Sequence, residues 1–339
     1  MPLTIIHGDI ARFQADALVN AANSRLQAGA GVCGALFEGA GSEQIQAACD
    51  AIGFCPPGSA VITPAFHLSA SHVIHAVGPV YQDGTKGEME TLTSAYTSAL
   101  ALAQEHRLRS IAFPLISSGT YGYPREEALS VAIAAIRGFL DKQEEELDVS
   151  LVLYNKEDGR LNRNLRAILD RRLRQARDEL AYGDILYNDA APEMSQVELS
   201  RDLTRMRNIT APSAPRQKGL EEVIKEVDEG FSTTLLKLIT DKNRLDSEVY
   251  KRANLDRKHF SKIRGNPNYT PSKRTVLALC VALELNLRET EDLLSRAGYA
   301  LSPSKKSDLI IGYFIQSHQF DIDRINMALF EYDQELLGT

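Results

Sequence analysis

Two glycine-rich segments, each followed by a helix-like segment, hold the residue types best suited to chemistry in this sequence. The first, residues 114–124, follows the apolar run 110–113 and contains Ser117, Ser118, Gly119, Thr120 and Tyr121. Glycine lets the backbone pass close to a ligand, and free N–H groups at the start of a helix attract anions. This pattern favours a phosphate-binding loop, although one glycine-rich loop is also compatible with an ordinary strand-to-helix turn.

The second segment, residues 19–34, follows the apolar run 17–19 and leads into a helix-like stretch. Two such loops can face each other at the carboxyl edge of an α/β sheet, where doubly wound folds bind ligands. Two phosphate cradles fit a pyrophosphate better than a single phosphate. Neither loop matches the GxxxxGK[ST] pattern of P-loop ATPases or the GxGxxG dinucleotide fingerprint. No metal-binding pattern such as HExxH occurs in the sequence, so we predict no metal site.

Alternating strand-like and helix-like segments must position these loops. Strands are predicted at residues 3–7, 17–20, 59–63, 72–76, 109–113 and 149–153, and helices at 34–40, 42–52, 88–106 and 125–140. This alternation predicts an α/β sheet that is covered on both faces. An apolar stripe at helical spacing predicts one more helix over residues 159–180.

Five short motifs in this half occur in the order seen in macrodomains, the ADP-ribose-binding modules. They are residues 8–10, 19–23, 29–34, 75–79 and 114–124. The sequence resembles that family over about residues 1–180. The resemblance implies a three-layer α/β/α macrodomain with a mixed, mostly parallel sheet, and a pocket for ADP-ribose.

The resemblance also implies ligand-binding roles. Asp9 would accept a hydrogen bond from the adenine amino group, Ile10 would flank the base, and Tyr154 would stack on it. Asn23 would hold the distal ribose. The pyrophosphate and distal ribose would be surrounded by Gly29, Gly31, Val32, Ser117, Ser118, Gly119, Thr120 and Tyr121. The alternatives are a turn aspartate at position 9, a turn asparagine at position 23 and a core tyrosine at position 154.

Asn23, Cys33 and Tyr121 are the candidate catalytic residues. Hydrolytic macrodomains of the most similar type commonly carry Asp, which helps to place or activate water, where Cys33 stands, and often His at the position of Phe37. A free thiol, with a reference pKa of ~8.5, is a weak base, although a helix N-terminus can lower that value. Cys33 is therefore an activated thiolate, an inert or auxiliary residue, or a sign that the domain only binds; we favour the second. His75 is predicted to be structural.

The rest of the chain changes character. Residues 182–219 are rich in proline and small polar residues, which predicts a linker. A short helix near residues 195–206 is compatible with this prediction. From residue 220 the sequence is helical. Over about residues 231–299 it resembles the repressor-type helix-turn-helix family, in which the helix after the turn enters the major groove. Residues 307–337 predict two further helices, whose apolar side chains form core or a dimer contact.

Charge in this half supports nucleic-acid binding. Residues 231–300 contain 13 Lys/Arg and 8 Asp/Glu, although the whole chain has a net charge of −7. Phosphate contacts need such a basic patch. The predicted DNA-binding residues are Arg257, Lys258, Lys262 and Arg264. The alternative is a solvated basic face on a protein-interaction module.

Length and composition complete the prediction. With 339 residues, 44% of them hydrophobic, the chain is expected to form two domains, residues 1–181 and 220–339, joined by 182–219. No apolar run approaches the ~20 residues of a membrane helix. We see no secretory signal, and the four scattered cysteines suggest reduced thiols, so a cytoplasmic location is expected.

We therefore predict a protein that binds ADP-ribose or a derivative, without a cofactor, and that hydrolyses ADP-ribose conjugates at the distal ribose. The substrates would be O-acetyl-ADP-ribose or ADP-ribosylated protein or nucleic acid. The alternative is a non-enzymatic sensor of an NAD-derived ligand, coupled to DNA or protein binding by the C-terminal helices. The sequence does not specify the conjugate, the DNA or protein partner, the oligomeric state or the pathway.

Overall fold

A computed structural model describes residues 3–143, 146–154, 165–175 and 229–338. We call residues 3–154 the sheet unit and residues 229–338 the helical unit. The predicted linker, residues 182–219, and the short helix near 195–206 lie outside the described residues. No helix in the described ranges is long and apolar enough to cross a membrane.

The sheet unit contains a six-stranded sheet. In chain order the strands are β1 (Leu3–His7), β2 (Ala17–Ala21), β3 (Ala60–Pro64), β4 (His72–Ala76), β5 (Ser110–Phe113) and β6 (Asp148–Leu153). Their order across the sheet is β1-β6-β5-β2-β4-β3. Only the β3–β4 pair is antiparallel, so the expected mixed, mostly parallel sheet is confirmed.

Helices cover both faces of the sheet because its strands are apolar on both sides. The helices are α1 (Val32–Ala40), α2 (Ser42–Ile52), α3 (Glu88–Glu105) and α4 (Arg125–Leu140). Along β2, Leu18 packs with α1 and α2, whereas Val19 packs with α3 and α4. This alternation places the sheet between two helical layers. All six strands and four helices predicted for this region are present, with bounds that differ from the prediction by at most two residues.

The predicted helix over residues 159–180 is described over residues 165–175, which are helical (α5). The helical unit then contains α6 (Phe231–Asp241), α7 (Asp246–Arg252), α8 (Arg257–Gly265), α9 (Lys273–Ala282), α10 (Leu287–Arg296), α11 (Lys306–Gln316) and α12 (Ile322–Glu331). These helices share one core, which α5 joins through Leu165 and Leu169. In α12, Met327 and Phe330 also pack against the core of the sheet unit, so the two units are in contact.

A candidate ligand-binding cleft

A cleft of about 560 Å³ lies at the carboxyl ends of the parallel strands. It is lined by the segments that follow β1, β2 and β5 and by the end of β6. Among the lining residues are all the predicted ligand and catalytic residues of this half: Asp9, Ile10, Asn23, Gly29, Gly31, Val32, Cys33, Ser117, Ser118, Gly119, Thr120, Tyr121 and Tyr154. The two glycine-rich loops therefore line one cavity.

The loop before α4 offers unpaired backbone donors to this cleft. Within the described residues, the N–H groups of Ser117, Gly119, Thr120 and Tyr121 donate no hydrogen bond. Two other N–H groups hold the loop together. Those of Gly122 and Tyr123 donate to the carbonyl oxygens of residues 119 and 117. Unpaired N–H groups that line a cleft suit an anionic ligand.

The start of α1 supplies a second set of donors. Gly31, with φ of 65°, precedes the helix, and no side chain caps it. The first N–H groups of a helix lack an intrahelical acceptor, and those of Gly31, Val32 and Cys33 have no backbone acceptor among the described residues. With the helix dipole, this end of the cleft also favours negative charge.

Tyr96, in the middle of α3, fixes the loop before α4 through two hydrogen bonds. Its fully buried hydroxyl accepts a hydrogen bond from the N–H of Ile116 (3.0 Å) and donates to the carbonyl oxygen of Pro114 (3.2 Å). Gly78 leaves room for Ser117 of this loop, because a Cβ at position 78 would lie 2.2 Å from the Ser117 hydroxyl oxygen. These two residues fix the position of the loop before α4.

The predicted adenine end lies between β1 and β6. Asp9 accepts a hydrogen bond from the N–H of Ala11 (3.0 Å), as a turn aspartate does. Its second carboxylate oxygen lies 3.7 Å from the Arg12 Nε atom at the surface. Because a carboxylate accepts several hydrogen bonds, Asp9 can cap the turn and still accept from an amine. Ile10 is buried, whereas Tyr154 is 66% exposed and therefore no core tyrosine.

Asn23 is engaged within its own loop. Its Oδ1 atom accepts from the N–H groups of Arg25 (3.1 Å) and Gln27 (3.2 Å), and its Nδ2 atom donates to the carbonyl oxygen of Gln27 (2.7 Å). The side chain therefore shapes the turn that leads to Gly29. The same residue lines the cleft, so a side chain that shapes the turn also lies where the resemblance predicts a ligand contact.

Cys33 is buried at the wall of the cleft. Its sulfur lies 3.6 Å from the Nδ2 atom of Asn20 and 3.8 Å from the carbonyl oxygen of Gln27. Burial raises the pKa of the thiol, against the smaller opposing effect of hydrogen bonds from Asn20 and Gly29. A protonated thiol that donates to Gln27 fits this geometry. The structure thus favours the inert or auxiliary interpretation of Cys33 over the activated thiolate.

Behind the cleft wall lies a buried polar cluster around His75. Its ring nitrogens contact Asn20 Nδ2 (3.1 Å) and Thr63 Oγ1 (2.9 Å). Burial lowers the pKa of His75 to about 4, so the ring is neutral near pH 7. With Nδ1 accepting from Asn20, Nε2 donates to Thr63. His75 is a structural residue here, and it packs edge-on against Phe37.

Several site residues were not predicted from the sequence. Arg125, at the first position of α4, contributes the one Lys or Arg side chain among the described residues that line the cleft. Its position directly after the predicted loop was a usable signal. Asn20 and Tyr96 carried no such signal, because each lies inside an apolar strand or helix pattern.

The predicted DNA-binding residues lie on the exposed side of α8. Arg257 and Lys262 are exposed and form no ion pair within the described ranges. Lys258 has an 81% exposed side chain and lies 3.3 Å from Glu146 of the sheet unit. Arg264 pairs with Asp246. The fold therefore brings all four onto one helix, far in sequence from the cleft.

Comparisons with known proteins concern the sheet unit. The Macro domain family model matches residues 19–132. A macro domain-containing protein of Cupriavidus necator is 51% identical over 48% of this chain and 95% of its own length. An O-acetyl-ADP-ribose deacetylase of Salmonella typhimurium is 46% identical over 47% of this chain and 90% of its own. The Trypanosoma brucei macrodomain in complex with ADP-ribose is 34% identical over 46% of this chain and 65% of that one, with a TM-score of 0.43.

Proposed function

Because this chain belongs to the macrodomain family through its N-terminal half, we propose that its cleft binds ADP-ribose or a derivative. We propose further that it hydrolyses ADP-ribose conjugates, among them O-acetyl-ADP-ribose and ADP-ribosylated protein or nucleic acid, at the distal ribose. Relatives at 46–47% identity are O-acetyl-ADP-ribose deacetylases, which supports the hydrolytic assignment.

The observation that carries this proposal is the pair of donor sets in one cleft. Unpaired N–H groups of Ser117, Gly119, Thr120 and Tyr121, and of residues 31–33, line one cleft in the part of the chain that the structure describes. A pyrophosphate presents oxygens to both sides, so it satisfies both sets at once, which a single phosphate does not. The carboxylate of Asp9 and the exposed ring of Tyr154 lie on the β1–β6 side of the same cleft, where an adenine base would find an acceptor and a stacking surface.

The chemistry follows from the same donors. A water held between the α-phosphate and the loop of residues 29–34 would attack the acyl carbon of an ester or the anomeric carbon of a glycosidic conjugate. The bond from that carbon to its leaving group would break, a proton of the water would pass to the leaving group, and ADP-ribose would be released. The loop N–H groups would stabilise the charge that develops in the transition state, as backbone donors do in oxyanion holes. Because the Cys33 thiol is protonated near neutral pH, it contributes position and not base catalysis. The binding assignment is tested by calorimetry with ADP-ribose and with AMP as a weaker competitor, followed by a turnover assay on an ADP-ribose ester.

Replacing Cys33 with alanine should leave most of the hydrolase activity, within about threefold of the wild-type rate. Burial raises the pKa of the thiol above its usual value, so the thiol stays mostly protonated between pH 6 and 8. The pH–rate profile over that range should therefore be the same in both proteins. The measurement is kcat and KM against pH. Complete loss of turnover with ADP-ribose affinity retained would show that the thiol is chemically essential.

A non-enzymatic sensor is the alternative to hydrolysis, and Cys33 in place of an acidic residue favours it. The two functions share the binding step and differ in turnover. If ADP-ribose esters, ADP-ribosylated protein and ADP-ribosylated nucleic acid at saturating concentration are all hydrolysed no faster than in buffer, the chain is a reader of an NAD-derived ligand.

We propose nucleic-acid binding by α8 as a second function of the chain. The supporting observation is that Arg257 and Lys262 are exposed and have no ion-pair partner among the described residues. Lys258, beside Glu146, adds a third exposed cation. A protein-binding basic face is the competing interpretation.

Reversing charge at Arg257 and Lys262, as Arg257→Glu with Lys262→Glu, should weaken binding to duplex DNA at least tenfold at low salt and reduce its salt dependence. Each lost phosphate contact removes counterion release. Lys258 is left in place because it also contacts Glu146. ADP-ribose affinity should be unchanged, since the cleft lies at the other end of the sheet. Equal DNA affinity of the variant and wild type would exclude this face as the binding surface.

A further inference from the structure

The turn between α7 and α8 is bound to the open edge of the sheet. Asn254 in that turn is fully buried. Its Oδ1 atom accepts from the N–H of Leu3 (2.8 Å), and its Nδ2 atom donates to the carbonyl oxygen of Leu3 (3.0 Å). A neighbouring strand would satisfy an edge residue with the same two bonds. At Leu3, the Asn254 side chain therefore supplies the two hydrogen bonds that a seventh strand would supply.

A charged contact reinforces this attachment. Arg137, near the end of α4, donates two hydrogen bonds to Asp323 of α12 (2.6 and 2.7 Å) and one to Asn254 (2.9 Å). The two charged side chains are only 17% and 14% exposed. Bidentate, partly desolvated pairs of this kind are much stronger than surface ion pairs. The helical unit is thus docked on the sheet unit through a specific polar network.

The docked surface includes the start of α8. Lys251, just before the turn, donates to the carbonyl oxygen of Asp141 (2.8 Å), and Lys258 lies beside Glu146. Asp148 is close enough to Asp256 for its pKa to be raised, first by burial and then by that charge. In helix-turn-helix proteins this end of the second helix is the part that enters the major groove. Here it faces a carboxylate-bearing loop of the sheet unit.

We propose that the edge of the sheet and a nucleic-acid duplex compete for the space beside the start of α8. Docking would then hinder insertion of this helix into a groove, although Arg257, Lys258 and Lys262 stay exposed to solvent, and we call this hindrance masking. This inference rests on the nucleic-acid function proposed above. Phosphates cannot occupy the position that Glu146 and Asp148 hold. A duplex that inserts α8 binds only the undocked form, and its apparent affinity is reduced by the fraction of molecules that are undocked.

Two full-length variants release the docking without altering the exposed cations of α8. Arg137→Ala removes the charged contact. Asn254→Gly removes the amide and preserves the turn, because Asn254 has φ of 55°, which glycine adopts without strain. Arg288→Ala, which removes an exposed arginine of α10, is the charge-matched control.

The probe is a short mixed-sequence DNA duplex at low ionic strength, with amide hydrogen exchange at Leu3 read in parallel. Both variants should bind the duplex at least about tenfold more tightly than the wild type and the Arg288→Ala control do. The Leu3 amide of both variants should also exchange faster than in those two proteins. In wild type, saturating duplex should also accelerate exchange at Leu3. This last measurement needs no substitution and holds if either variant fails to fold.

Two results overturn the inference, and they differ in what else they remove. Equal duplex affinity in wild type and variants, with Leu3 exchange accelerated only by the substitutions, shows that the duplex and the sheet edge do not compete, and the nucleic-acid function stands. If the variants bind no duplex even though their Leu3 amide exchanges faster, both the nucleic-acid function and the masking are excluded. Unchanged Leu3 protection in wild type at saturating duplex also overturns the masking.

Discussion

Gly119→Glu should abolish measurable ADP-ribose binding, a loss of about a hundredfold or more, equivalent to about 2.7 kcal/mol. Apart from its chain neighbours, no atom lies within 4 Å of the position that a Cβ would take at Gly119, so the folded chain accommodates the substitution. The new carboxylate would then lie among the unpaired N–H groups of Ser117, Thr120 and Tyr121, where it excludes the pyrophosphate by volume and by charge. Calorimetry with ADP-ribose measures the effect.

Two further substitutions at the same position separate the causes. Gly119→Ala should retain affinity within a few-fold, because the methyl group enters open space. Gly119→Gln has the volume of glutamate without its charge and should fall between the two. A correctly folded Gly119→Glu protein with wild-type affinity would show that the pyrophosphate lies elsewhere and would remove the site assignment.

Asn23→Ala should lower hydrolysis about a hundredfold, far more than Cys33→Ala. The substitution removes three hydrogen bonds that fix residues 23–27, and the loop that carries Gly29 and Gly31 continues from that turn. Misplacement of a bound group by about 1 Å is enough for a loss of this size. Single-turnover rates on an ADP-ribose ester give the effect on the chemical step.

The ligand series distinguishes the two roles of Asn23. If its side chain holds the distal ribose, Asn23→Ala weakens ADP-ribose but leaves ADP, which lacks that ribose, at wild-type affinity. If Asn23 only supports the loop, both ligands weaken together. Hydrolysis at the wild-type rate in Asn23→Ala would show that neither role matters to catalysis.

The sequence was informative where function depends on local pattern. Apolar runs such as 110–113 and glycines such as Gly31 and Gly119 predicted strands and loops whose ends meet at one sheet edge. The prediction succeeded because a parallel α/β sheet brings the carboxyl ends of its strands together. Cys33 was predicted as a candidate catalytic residue and lines the cleft, but its protonation depends on burial, which the sequence alone does not give.

Contacts between distant parts of the chain could not be predicted in this way. Tyr96 supports the loop before α4 through its hydroxyl, yet in sequence it is one more apolar position of an amphipathic helix. Asn254 lies within residues 231–299, which resemble the helix-turn-helix family, and its pairing with Leu3 spans 251 positions. Hydrogen bonds of this kind depend on how whole units pack, so no local periodicity reveals them.

The Asn254–Leu3 pairing has a consequence for the behaviour of the sheet unit on its own. An uncovered edge strand presents N–H and C=O groups that pair readily with another chain, and such edges promote aggregation. In the intact chain the Leu3 groups are already occupied, and Met327 and Phe330 are packed against the core beside them. A protein cut after residue 154 would present both a free strand edge and an uncovered apolar patch. It would therefore keep its cleft but self-associate, through added strands, at concentrations where the full chain stays dispersed.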